Sequence, residues 1–129
     1  MSLLRCGSGA VLLVLCACAS TPPYLPDDCP LYQDAGMLRA NPAGAPERHL
    51  EVAASFRVCP PEEGLAEIRR KHIELKHEML ALLSSRTLAD LEDPRRVEKL
   101  QKELLRMANE KVMRRGKVTQ VLITAFELR

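Results

Sequence analysis

The stretch Arg48 to Val58 constrains the fold more than any other part of the chain. Leu50, Val52, Ala54, Phe56 and Val58 take every second position, and His49, Glu51, Ala53, Ser55 and Arg57 stand between them. A period of two puts the first set on one side of an extended backbone, so the sequence predicts a half-buried β-strand with one face in a core. Pro60-Pro61 ends that strand, because proline supplies no donor to a sheet ladder.

Shorter signals flank it. Gly36 to Ala40 is expected as a first short strand, closed by the turn sequence Asn41-Pro42-Ala43-Gly44. From Glu62 onward charges crowd in, and Leu65, Ile68, Ile73, Leu75, Met79, Leu82 and Leu83 recur at helical spacing. One amphipathic helix over 62–83 is therefore expected, with Glu62 and Glu63 at its positive end. Thr87 with Asp90 three residues on predicts a capping box for a short turn, Leu88 to Glu92. Asp93-Pro94 predicts the start of a second helix. That helix is expected to run on Val97, Leu100, Leu104, Met107, Ala108 and Val112 to Arg115, with Arg114 and Arg115 complementing its dipole and Gly116 as a left-handed stop. Val118, Val121, Leu122, Ile123, Ala125, Phe126 and Leu128 make the last segment almost continuously apolar, which predicts a central strand covered on both faces. The expected fold is α+β: a small antiparallel sheet, two antiparallel helices on one face, and a closing C-terminal strand.

The N-terminus reads as an address. Ala10 to Ala17 is apolar but far short of the roughly 20 residues a bilayer span needs, which marks a signal h-region. Leu15-Cys16-Ala17-Cys18 resembles the bacterial lipobox, with cleavage before a lipidated Cys18; the alternative is an ordinary secretory signal cut after Ala19. Residues 1–17 are then the signal, 18–35 a Pro-rich tether and 36–129 the domain. The expected location is the cell envelope, facing the periplasm. Ala19, where Asp would retain a lipoprotein at the inner membrane, favours the outer membrane and leaves the inner as the alternative. Removing Cys6, Cys16 and Cys18 leaves Cys29 and Cys59, an even pair that an oxidising compartment would join; two free thiols are the alternative.

Several chemistries find no support. Lys+Arg 19 against Asp+Glu 17 leaves a net charge of only +2, which implies no basic patch able to neutralise many phosphates, and four aromatic residues without Trp provide no stacking platform. His72 and His77 lie five apart, on different faces of a helix, and no Cys-x-x-Cys accompanies them, so no metal or cofactor is expected. Ser84-Ser85 lacks a nucleophile elbow and an arranged base, and is expected to terminate and cap a helix. Glu74 and Glu78, an acid/base couple by type alone, suit a solvated face better. Arg69-Arg70-Lys71, interleaved with Glu67 and Glu74, is expected as an exposed mixed-charge face. No enzymatic activity and no small-molecule substrate are expected.

One set of residues is more specific. Leu82-Leu83-Ser84-Ser85-Arg86-Thr87, then Pro94, then Val118-Thr119-Gln120-Val121-Leu122-Ile123-Thr124-Ala125-Phe126, resembles the periplasmic domain of the flagellar basal-body-associated FliL family. Its members read Leu-Leu-Ser-Ser-Lys-Thr, a Pro-Glu-Gly step and a charged helix, and close on Val-x-x-Val-aromatic-apolar-Thr-Glu-Phe. Val121, Thr124 and Phe126 fall at matching positions, whereas Arg95-Arg96 follows Pro94 and Ala125 stands where the family has Glu. The resemblance covers about residues 36–129 and implies a stomatin-like fold, ring-like self-association and contact with flagellar stator and basal-body proteins. It implies a non-catalytic motor accessory; an envelope scaffold that keeps the fold without a flagellar role is the alternative. Family members carry one transmembrane helix where this chain has a lipobox.

Overall fold

The computed structural model describes residues 25–129. The signal segment, Cys18 and the tether up to residue 24 lie outside the described residues. The elements are β1 (Leu31–Tyr32), β2 (Met37–Ala40), β3 (Leu50–Cys59), α1 (Pro61–Arg70), α2 (His72–Ser84), α3 (Leu88–Glu92), α4 (Arg96–Met107) and β4 (Lys117–Leu128). A single π turn, Ala108–Val112, follows α4. The fold is α+β, as expected.

β3 organises the sheet. β4 pairs antiparallel along one edge of it, while β1 and β2 share the other edge end to end. Leu50, Val52, Phe56 and Val58 are 0% exposed and Ala54 is buried, so the alternation predicted a real inside face. Ile68 of α1, Leu75, Met79 and Leu83 of α2, and Leu100 and Leu104 of α4 close over that face. Each such aliphatic side chain, buried from water, contributes about 1.5–3 kcal/mol. Glu78 pairs with Lys111 at 3.5 Å and Arg86 with Glu103 at 2.7 Å. Partner numbers fall as the first numbers rise, so α2 and α4 run antiparallel.

Five expectations change. The 62–83 helix is two helices that meet at Lys71, whose φ of −101° and ψ of 26° leave the helical range. Lys71 thereby turns its ammonium onto the Glu67 carboxylate and the Val112 carbonyl, at 3.0 and 2.9 Å. Ile73, counted in the apolar stripe, lies past that break and is 70% exposed.

The second helix stops early. Its last turn widens to a π turn, with the Met113 amide donating to the Ala108 carbonyl at 2.8 Å. The Asn109 side chain exchanges two hydrogen bonds with the backbone of Val118, each 2.8 Å, and so ties this turn to β4. Its first turn shifts as well: α4 starts at Arg96 with Arg95 as its N-cap residue, and Asp93, three residues ahead of the helix, accepts the Arg95 amide at 2.7 Å.

Gly116 is not a left-handed stop, since only Gly36 and Gly44 have positive φ among the described residues. Arg114 and Arg115 lie in the loop after the π turn and not in a last helical turn.

β4 is an edge strand rather than a central one. The register with β3 slips twice, leaving Thr119 and Thr124 as extra residues. Val118, Val121, Ile123, Phe126 and Leu128 all face the helices, opposite Val58, Phe56, Ala54, Val52 and Leu50. Their spacing therefore alternates between three and two, and an alternating strand reads in sequence as a continuous apolar run.

Finally, the expected domain start at residue 36 moves toward the N-terminus. Cys29, Tyr32 and Ala35 are buried, and β1 pairs with Arg57 and Phe56, so the domain begins before residue 36.

Candidate functional site

The residues Leu82 to Thr87 form the last turn of α2 and its exit. Leu83 points into the core and is fully buried, while Leu82 is half-buried on the next face. Ser85 is the C-cap residue: its hydroxyl donates to the Leu82 carbonyl at 2.7 Å and accepts from Arg86 at 3.2 Å. Arg86 also donates to Glu103 of α4 at 2.7 Å, in a pair roughly a quarter exposed on each side. Thr87 starts α3 with both halves of the capping box: its hydroxyl accepts the Asp90 amide at 3.3 Å, and the Asp90 carboxylate accepts the Thr87 amide at 3.1 Å. The turn is held from a third direction, because the Ala43 amide donates to the Arg86 carbonyl at 2.9 Å.

A groove of about 340 Å³ opens between α2 and α4 beside this turn, lined among others by Leu82, Arg86, Glu78, Glu103, Arg106 and Lys111. Its walls carry both signs of charge on exposed and half-exposed side chains. Such a surface suits another polar protein surface better than a small ligand of one sign.

Pro94 is exposed between α3 and α4. Arg96, close behind it, lays its guanidinium 5.6 Å from the centroid of the Phe126 ring, a cation–π contact that joins the Pro94 step to the terminal strand. Phe126 is half-buried, Val121 is buried opposite Phe56, and Thr124 bridges a bulge by donating to the Ala53 carbonyl at 3.3 Å. The turn at 82–87 and the Pro94 step thus converge on α4 through Glu103 and Arg96, while Thr124 serves β3 instead.

Cys29 and Cys59 are joined in the structure, with Cα atoms 5.3 Å apart and both side chains buried. The Arg57 guanidinium donates to the Cys29 carbonyl at 2.7 Å and reinforces the same junction. His72 contacts the Arg69 carbonyl through its own ring nitrogen, and His77 is exposed. Among the described residues no group of three metal-binding side chains converges.

The group sequence reasoning missed is Glu67. It was expected on an exposed charged face and is 3% exposed. Its carboxylate accepts the successive amides of Arg114, Arg115 and Gly116, the last at 2.9 Å, and the Lys71 ammonium at 3.0 Å. Burial alone would raise its pKa, but the Gly116 amide, the Lys71 ammonium and the Arg115 and Arg114 amides outweigh it and hold the value at about 2. A second signal, Gly64 with Gly116, was also visible only as two glycines. A Cβ on Gly116 would lie 2.8 Å from the Gly64 Cα and 3.1 Å from the Cys59 carbonyl oxygen. The two glycines let the loop after α4 touch the start of α1.

A search of curated proteins finds no match to the chain. The family model described as flagellar basal body-associated protein FliL matches residues 36–128, which takes in the 82–87 turn, Pro94, the groove and the whole of β4. The chain belongs to the FliL family of flagellar basal body-associated proteins.

Proposed function

We propose that this protein is a non-catalytic accessory of the flagellar motor that supports stator units and sustains motility under load. The family match over residues 36–128 carries this reading. The groove between α2 and α4, bordered by Leu82 and Arg86, is the surface offered to stator or basal-body proteins, and self-association into a ring accompanies it. A diacylated Cys18 anchors the domain to the envelope on the periplasmic side, with Ala19 directing it to the outer membrane. No helix of the described residues is long and apolar enough to cross a membrane.

The lipobox favours a second reading, an envelope scaffold that keeps the FliL fold without a flagellar task. Swimming speed of a deletion strain in media of rising viscosity separates the two. A deficit that grows with load and is reversed by the intact gene supports the motor role; unchanged motility at every viscosity moves the protein to the scaffold. A Cys18→Ala variant tests the anchor, because it should leave the membrane fraction.

A further inference from the structure

The chain enters the domain at one end of the sheet and leaves it at the other. Cys29 is bonded to Cys59, the last residue of β3, and both side chains are buried. Arg129 exchanges backbone hydrogen bonds of 3.0 and 2.8 Å with His49, just ahead of the first residue of β3. The entry segment itself is lightly held. Its strand β1 pairs only Leu31 with Arg57 and Tyr32 with Phe56. The buried Tyr32 side chain adds to this, as do the Val58 amide on the Pro30 carbonyl at 3.0 Å and Arg57 on the Cys29 carbonyl at 2.7 Å. β3 is held far more widely: all ten of its residues have partners in β4, from Leu50 opposite Leu128 to Cys59 opposite Lys117.

We infer that the Cys29–Cys59 disulfide is a mechanical weld: tension arriving along the chain ahead of Cys29 bypasses β1 and enters β3 at Cys59, where the β3–β4 ladder bears it in shear. A pull on Cys59 in one direction and on Arg129 in the other slides two antiparallel neighbours past each other along their common axis. The hydrogen bonds of an antiparallel ladder lie across that axis, so all of them are loaded together. Without the weld the same pull falls first on β1 and peels it, and then β2, before β3 carries any load. A crosslink that acted only by shortening an open loop in the unfolded chain would have no preferred direction. This one has, because it joins the entry point to the strand with which β1, β2 and β4 all pair. The use of the weld rests on the anchor and the load proposed above: a domain fixed to a membrane through Cys18, and gripped by a partner elsewhere, is pulled along this path.

Optical-tweezers pulling on the full mature chain tests the weld, since forced unfolding reads the barrier to rupture. With the disulfide intact and handles at Ser20 and Arg129, the chain should rupture in one high-force event with nothing before it. Replacing Cys29 and Cys59 together by Ser should add early, low-force extensions as β1 and β2 peel. It should also lengthen the fully unfolded chain by about 100 Å, the 30 residues that the disulfide locks away. Moving the second handle to the exposed Lys117 side chain, disulfide intact, loads adjacent ends of β3 and β4, so the ladder should open pair by pair at a several-fold lower force. Equal rupture forces in the two directions overturn the inference, as does a serine variant that ruptures without early events. The two-direction comparison uses the intact disulfide and decides the matter even if the serine variant does not fold. Swimming of that variant in viscous medium reads the load separately: normal swimming beside the expected pulling result speaks against the motor role and leaves the weld standing.

Discussion

The Glu67 carboxylate accepts the Gly116 amide at 2.9 Å across a separation of 49 residues, and this contact fastens the loop after α4 to α1. Three consecutive amides converge there, an arrangement that elsewhere binds free anions; in this fold a side chain of the same molecule fills it.

Glu67→Gln should destabilise the domain by about 3 kcal/mol at neutral pH, the equivalent of a carboxylate held at about 2 against an ordinary 4.5. Because the folded value is the lower one, this stabilisation is complete above 4.5 and drains away as pH falls from there to about 2. Urea melts of the parent and variant at a series of pH values should therefore converge in acid. Parallel curves down to the lowest pH would mean that Glu67 carries no charge in the native state.

Gly116→Ala should cost about 1–3 kcal/mol, because the new methyl meets backbone on both sides and neither the Gly64 Cα nor the Cys59 carbonyl can swing away. Gly64→Ala meets the Cys59 backbone at 2.9 Å and should behave alike. Thermal melts check both; a neutral Gly116→Ala would show that the α1 junction yields.

Replacing Cys29 and Cys59 together by Ser opens a loop closed over 30 residues, which in the chain-entropy account removes about 3–4 kcal/mol. Peptide mapping without reductant should recover Cys29 linked to Cys59 from the parent chain. The variant should lose protection from proteolysis first around β1, which holds only two residues to the sheet.

Thr87→Ala removes one half of the capping box and should cost about 1 kcal/mol. The effect should be local, read as faster hydrogen exchange at the amides of α3 with α4 unchanged.

Arg86→Ala is expected to separate structure from function. Its pair with Glu103 is partly exposed, so stability should fall by no more than about 1 kcal/mol. Swimming in viscous medium should suffer far more, if the groove is where the motor makes contact. Normal motility of a folded Arg86→Ala variant would move that contact to another surface.

Local pattern alone determined much of this protein. The alternation of Arg48 to Val58 named the buried face of β3, and Thr87 with Asp90 named the start of α3, because each signal is complete within a few residues. The turn at 82–87 and the last strand were specific enough to indicate the family. Where the pattern was read too literally, the cause lies in backbone geometry: two bulges turned an alternating edge strand into what looks like a doubly covered one, and a break at Lys71 put Ile73 in water. Glu67 was read as a surface charge because its own neighbours are charged and its partners are 47 to 49 residues away. Gly116 needed no positive φ; it needed room beside Gly64, which no window of sequence around either glycine contains. Periodicity records which side of an element is buried. Only the packed fold decides which amides stand over a carboxylate, which backbones touch, and which strand is left with an open edge.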